Sequence, residues 1–263
     1  MLAIFFVFGL IIGSFLNVVV YRTNLAETLL GRSHCPKCKK KIRWYDNIPV
    51  LSFVFLGAKC RDCGKKISWI YPLVELLTGV IFAFLGTKFF VLSDPITWFS
   101  ASYYLAIASI LIVIFVYDWL YMEIPGLVLW LGVGIAIFGN LVIDLQKNVF
   151  RGGILNSLTY SGVLAAFCAF IFFFTLSKVS KEKWMGMGDV FLVILLGLVL
   201  GWPKILLGLF LAFAIGAICG IILIVIGKKK MSSQIPFAPF LVLGTIVTML
   251  YYEPLIGWYL HFF

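Results

Sequence analysis

Charge is what this sequence has least of. Only 12% of its 263 residues are Asp, Glu, Lys or Arg, against 63% hydrophobic, and the mean hydropathy of +1.10 excludes a soluble globular domain. No RNA- or DNA-binding motif accompanies the net charge of +10, so nucleic acid is not an expected partner. A Gly-rich loop following a strand is also missing, and with it the usual cradle for a nucleotide-like cofactor. There is no low-complexity tract and no convincing internal repeat.

What the chain does have is apolar runs of membrane-spanning length. A helix crossing the hydrocarbon needs roughly 20 such residues, and eight segments qualify, near 2–20, 73–92, 98–116, 126–144, 155–177, 188–203, 205–227 and 236–253. The expected fold class is an all-α polytopic membrane protein. The first run begins at Met1 without a preceding basic stretch and is followed by Arg22, which predicts an uncleaved helix with its N-terminus outside the cytoplasm. Alternation then places 17 of the 21 Lys and Arg residues on the cytoplasmic side: eleven in 21–72, Lys178, Lys181 and Lys183, and Lys228–Lys230. Lys88, Lys147, Arg151 and Lys204 fall opposite. Both termini are then extracytoplasmic, and the basic loops are suited to anionic membrane lipid.

Three parts follow: a first helix (1–20), an inserted cytoplasmic domain (21–72) and a helical bundle (73–263). The insert sets its eleven basic residues against Glu27, Asp46 and Asp62. Its Cys35-Pro-Lys-Cys38 and Cys60-Arg-Asp-Cys63 pairs are spaced as in zinc ribbons, and four thiolates close a tetrahedral Zn²⁺ site. Disulfides are the competing reading, disfavoured in a reducing cytoplasm. A four-ligand site has no open position, so the metal would serve to fold a segment too small to build a core. Cys168 and Cys219 read as apolar packing residues, His34 and His261 have no required role, and the spacing of Gly208, Ala212, Gly216 and Gly220 reads as close helix packing.

Acidic residues beside membrane helices are expensive and therefore functional candidates. Asp94, Asp144 and Glu253 fall near extracytoplasmic loop ends and read as hydrated surface groups. Asp118 closes the third span and Asp189 opens the sixth, both on the cytoplasmic side. Two such carboxyls can share a water, one protonated and one ionised, as aspartic hydrolysis requires. Gly186 and Gly188, in Gly-Met-Gly-Asp, would let an extended substrate backbone approach. Helix polarity predicts Asp189 as the base and Asp118 as the acid. Only 13 residues separate Asp189 from Pro203, so either the helix continues past that proline or Asp189 is recessed. The alternative reading is a proton-coupled transporter with the two aspartates as a relay, or helix caps.

The stretches GSFLNVVVYR (13–22), CPKC (35–38), YDNIPVLSF (45–53), CRDCGKKIS (60–68), YPLVELLTG (71–79), Asp-x6-Pro (118–125), MGMGDVFL (185–192) and IPFAPFLVLG (235–244) together resemble the bacterial type IV prepilin leader peptidases, the A24 group of GxGD aspartic proteases. The resemblance covers essentially the whole chain. It implies an inner-membrane peptidase that removes a basic leader from prepilins or pseudopilins after a glycine, with Asp118 and Asp189 catalytic and Cys35, Cys38, Cys60 and Cys63 binding zinc. It also implies N-methylation of the new terminus from S-adenosylmethionine, with Asn17, Arg22, Lys59 and Glu75 as candidate donor contacts. Arg22 and Lys59 read equally as interfacial anchors, and Glu75 as a helix-start residue. Glu123, in the loop after Asp118, is the candidate leader contact. Gly126 departs from the family pattern, which often has Asp or Asn after the proline.

Overall fold

The computed structural model describes residues 1–147, 149, 153–182, 185–227 and 235–261. Arg151, Lys183 and Lys228–Lys230, which enter the charge argument, lie outside them. The helices are α1 (Leu2–Asn24), α2 (Leu51–Phe55), α3 (Ile70–Phe89), α4 (Pro95–Tyr121), α5 (Gly126–Gln146), α6 (Leu158–Val179), α7 (Met187–Leu200), α8 (Lys204–Val225) and α9 (Ala238–Leu260). Seven are long and apolar enough to cross a membrane, and α7, with 14 residues, is the short eighth. All eight expected segments are helical, seven of them of spanning length, and the insert follows the first as the sequence reading has it. α7 ends at Leu200, before the left-handed Gly201 (φ 70°), so the helix does not run on past Pro203.

The bundle is built around α4. Ile107, Ala108, Leu111, Ile112 and Ile114 are buried on successive faces of that helix, which packs against α1, α3, α5 and α9. Its start is fixed by Asp94, whose carboxylate accepts from the Ile96 N–H at 3.0 Å, with Pro95 as the first helical residue. It stops at Met122, in the left-handed conformation.

The other contacts are made by small residues, because apolar side chains gain nothing by leaving lipid for one another and close backbone approach supplies the attraction. Gly9 and Gly13 of α1 lie on Gly79, Thr78 and the Glu75 backbone of α3, and Gly197 of α7 meets the Ala166 backbone of α6. Half of the small-residue stripe in α8 serves the same purpose: Gly208 and Ala212 receive Gly244 of α9, Gly216 faces the Phe240 ring, and Gly220 faces open space.

Asp144 is a correction to the sequence reading. It is fully buried, and its carboxylate accepts from the Leu158 and Thr159 N–H groups, both at 2.8 Å, and from the Thr159 hydroxyl at 2.7 Å. It caps α6 from the end of α5, a partnership between distant residues that local hydropathy does not reveal.

A Cβ added at Gly197 would overlap the Ala166 main chain, whereas one at Gly134 of α5 meets nothing within 4 Å. Gly197→Ala is therefore expected to destabilise the folded protein by about 1–3 kcal/mol, and Gly134→Ala to be neutral or stabilising by up to about 1 kcal/mol. Thermal unfolding of the two variants in one detergent checks the difference.

Candidate active site

The last turn of α4 carries Asp118, which is 6% exposed. The chain then turns through Met122, Glu123 and Ile124 into Pro125, which precedes the first residue of α5. From the other side, the buried Ser177 near the end of α6 donates to the Met185 carbonyl at 3.2 Å and so anchors the chain that leads into Gly186, Met187, Gly188 and Asp189. The two segments enclose a cavity of about 350 Å³ lined by Asp118, Met122, Glu123, Ile124, Gly186, Gly188 and Asp189. Residues 71 positions apart in sequence are thus brought to the wall of one cavity.

Asp118 is not fully satisfied. Its carboxyl lies beside the backbone N–H of Ala238, the first residue of α9, while its Oδ2 is buried with no hydrogen-bond partner among the described residues. This arrangement removes the basis for ranking the carboxyls by helix polarity. Asp118 lies at the C-terminal end of α4 and also at the N-terminal end of α9, so two helix ends act on it in opposite senses. Sequence reasoning missed α9 because Ala238 has no feature that marks it.

The two glycines have different surroundings. Gly186 faces open space, as a substrate backbone would require, whereas a Cβ at Gly188 would sit 3.2 Å from Cδ1 of Ile124. Gly188 thus lies both on the cavity wall and against Ile124 of the α4–α5 turn.

The insert contains the second cluster. All four sulfurs of Cys35, Cys38, Cys60 and Cys63 lie within 4.8 Å of one another. Zn–S bonds of about 2.3 Å in a tetrahedron require S···S separations of about 3.8 Å, so the donor set fits such an ion. Burial pushes the Cys35 thiol up, but N–H groups of Cys38 and Lys37 and the neighbouring thiols outweigh it and bring it down to about 7. The sulfurs are held by a repeat that the sequence reading overlooked. Cys35 and Cys60 donate their N–H groups to Lys40 and Lys65, Lys39 and Gly64 donate back to Cys35 and Cys60, and Ile42 and Ile67 bond to Ser33 and Ala58. Each pair is offset by 25 residues, as are the bridges His34–Lys41 and Lys59–Lys66. The signal was present in SHCPKCKKKI and AKCRDCGKKI.

Between this insert and the ends of α1 and α3 is a cavity of about 510 Å³, with Asn17, Arg22, Tyr71 and Glu75 on its wall. Asn17 donates to the Tyr71 carbonyl at 3.1 Å. Arg22 is no interfacial anchor: its buried guanidinium donates to the carbonyls of Thr28, Leu30, Gly31 and Arg32, winding the start of the insert around itself. Nor does Glu75 serve a helix start. It accepts from the Val50 N–H at 2.7 Å and thereby pins a γ-turn, in which Val50 has φ 60° and Leu51 donates to the Pro49 carbonyl at 2.6 Å. A β-branched residue with positive φ is strained, and the buried carboxylate holds it there. Lys59 is exposed and is not among the residues lining this cavity.

Residues 7–89 match the bacterial peptidase A24 N-terminal domain and residues 105–221 match the type IV leader peptidase family. The prepilin leader peptidase/N-methyltransferase of Bacillus subtilis is 31% identical over 99% of this chain and 98% of its own length. The type 4 prepilin-like proteins leader peptide-processing enzyme of Escherichia coli is 36% identical over 92% of this chain and 90% of its own length. The chain belongs to the type IV leader peptidase family. A further prepilin leader peptidase/N-methyltransferase, from Pseudomonas aeruginosa, is 30% identical over 97% of the chain and 91% of its own length. No solved structure matches this leader peptidase.

The separation of the two glycines is testable on prepilin cleavage. Gly188→Ala is expected to slow it several-fold by pressing on Ile124, and Ile124→Val, which removes Cδ1, to restore the rate in the double variant. Gly186→Ala is expected to slow cleavage without any rescue by Ile124→Val. Steady-state rates for the five proteins decide between the roles.

Proposed function

We propose that this chain is a membrane aspartic endopeptidase that removes the basic leader of type IV prepilins or pseudopilins, and that it then N-methylates the exposed terminus. The observation that carries the first activity is the pairing of two carboxyls in one open cavity, one of them with a buried oxygen that has no partner among the described residues. In this reading Asp118 and Asp189 hold a water between them and share one proton. The ionised carboxyl takes a proton from the water as its oxygen bonds to the scissile carbonyl carbon, while the protonated carboxyl donates to the carbonyl oxygen. Collapse breaks the C–N bond and returns a proton to the leaving amine. Gly186 leaves room for the extended backbone, and Glu123 on the cavity wall receives the positive charge of the leader. The cavity belongs on the cytoplasmic side of the bacterial inner membrane, with both termini opposite.

A proton-relay transporter is disfavoured by what the other buried polar groups do. Asn140 bridges the Tyr103 hydroxyl and the Leu198 carbonyl, and Asp144 is saturated by α6, so both are committed to structure.

For the second activity, the insert (21–72) supplies the site together with the ends of α1 and α3. Zinc on the four cysteines keeps the two knuckles folded, and S-adenosylmethionine, when bound, supplies the methyl group. The 510 Å³ cavity is of ligand-binding size. Asn17 and Glu75 on its wall would hold the donor, while Arg22 is engaged with carbonyls and Lys59 stands apart.

Asp118→Asn and Asp189→Asn are each expected to reduce cleavage of a model prepilin by about 10²–10⁴-fold while methylation of a pre-cleaved pilin persists. Undiminished cleavage by either variant would overturn the dyad. Cys35→Ser is expected to abolish stoichiometric zinc, measured by metal analysis, and to suppress methyl transfer more than cleavage. Glu123→Gln should lower cleavage of a basic-leader substrate more than that of a neutralised one. Equal losses on the two substrates would remove Glu123 from leader recognition.

A further inference from the structure

The short helix α2 stands between the larger cavity and a surface that neither activity has used. Ser52, Phe53 and Leu56 line the cavity, while Leu51, Val54 and Phe55 are exposed on the opposite side. Three large apolar side chains gathered on the outside of a strongly basic insert mark an interaction surface.

The fold fixes the level at which these side chains sit. α3 has 20 residues and rises about 30 Å, which only just matches the thickness of the hydrocarbon. Ile70 therefore lies close to one hydrocarbon boundary, and Glu75, a turn and a half along the helix, lies about 7.5 Å inside it. The start of α2 is held to that carboxylate by the Val50 N–H at 2.7 Å. Phe53 packs edge-on against the Trp69 ring, with centroids 4.7 Å apart. Trp69 is itself exposed and heads the outward stripe of α3 formed by Leu73, Leu77, Val80 and Phe84. α2 is thus clamped at two points to the first turns of a membrane-spanning helix, beside the face that this helix turns to lipid.

We propose that α2 is embedded in the cytoplasmic leaflet, with Leu51, Val54 and Phe55 among the acyl chains, and forms the wall between the bilayer and the larger cavity. Charge selects lipid as the occupant of this face. Interfacial helices pair apolar side chains with basic residues that meet anionic headgroups. The chain leaving α2 reaches Lys59 at once, its N–H donating to the Leu56 carbonyl at 3.2 Å, and Lys59 is bridged to Lys66 across the second Cys-x-x-Cys knuckle; both lysines are exposed. The same charges oppose a basic leader. The Ala58 N–H donates to the Phe53 carbonyl at 2.9 Å, so the embedded helix also holds that knuckle at the membrane. The cavity then lies level with the membrane surface, which on the two-activity reading is where the end of a membrane-anchored product arrives.

The test places an environment-sensitive fluorescent amino acid at Phe55, at Val54 or, as the aqueous reference, at Asp62 on the tip of the second knuckle. The full-length protein is held in nanodiscs of phosphatidylethanolamine and phosphatidylglycerol. Phe55 and Val54 are 85% and 67% exposed, so a probe at either removes little packing and the fold persists. A lipid with a nitroxide on the upper acyl chain is expected to quench the probes at Phe55 and Val54 but not the one at Asp62. Quenching by aqueous iodide should be at least about threefold weaker at Phe55 and Val54 than at Asp62. Iodide quenching equal at all three positions, with no effect of the nitroxide lipid, would overturn the embedding of α2. Shielding of Phe55 and Val54 from both quenchers would overturn it too, because a second copy of the chain would then cover this face. The measurement needs neither substrate nor methyl donor, so its outcome is independent of the two-activity reading.

Discussion

Inside a bilayer an unpaired backbone N–H or C=O costs several kcal/mol, and the positions where these helices start, stop or bend all follow from that cost. At the bend of α9, where Tyr251 leaves helical geometry and Pro254 provides no N–H, Lys88 of α3 donates to the freed carbonyls of Met249 and Leu250. Asn140 takes the Leu198 carbonyl near the end of α7, Ser161 pairs with the backbone of Trp202 beyond it, and Asp144 takes the first N–H groups of α6. Lys88, Asn140 and Asp144 each link two helices and Ser161 ties α6 to the turn after α7, so satisfying the backbone also fixes the bundle.

The same accounting separates a structural carboxylate from a reactive one. Asp144 and Asp118 are both buried at helix ends, and hydropathy treats them alike. Asp144 has three donors on its two oxygens, whereas Asp118 lies beside the Ala238 N–H and has a buried Oδ2 with no partner among the described residues. An unpaired acceptor in that position is costly unless water or substrate completes it. The cost is sustained where the cavity opens, beside Gly186 and Asp189, and is itself an argument that chemistry occurs there.

Much of this could be read from the sequence because a bilayer and a four-thiol cluster obey short-range rules. Apolar run length gave most helix ends to within about five residues, the last helix running on to Leu260, and Cys-x-x-Cys spacing gave the four cysteines now seen with their sulfurs gathered. The features that escaped depend on contacts between distant residues. Nothing local to Asp144 reveals Thr159, nothing near Asp118 reveals Ala238, and Arg22 appears as a flanking charge until the Thr28–Arg32 segment is seen folded over it. Gly188 was noticed for its smallness on the substrate side, but its neighbour Ile124 lies 64 positions earlier, so its packing against the α4–α5 turn could not be read locally. The 25-residue repeat was visible in principle and was obscured because only its cysteines and the Lys-Lys-Ile that follows them are shared.

The length of α7 ties these threads together. Its 14 residues rise about 21 Å, whereas the 22 of α6 rise about 33 Å, so one end of α7 must fall short of its neighbours. Gly162 of α6 lies against Leu198, and Ser161 pairs with Trp202, which fixes the far end of α7 at the first turn of α6. The deficit therefore falls at the Asp189 end, where the backbone before α7 is irregular. Inside a bilayer such backbone is stable only when it is buried in protein or lines a cavity, and here Ser177 and Ile124 lie against the segment while the cavity with Asp118 opens beside it. A helix shorter than its neighbours thus leaves the notch in which the two carboxyls meet.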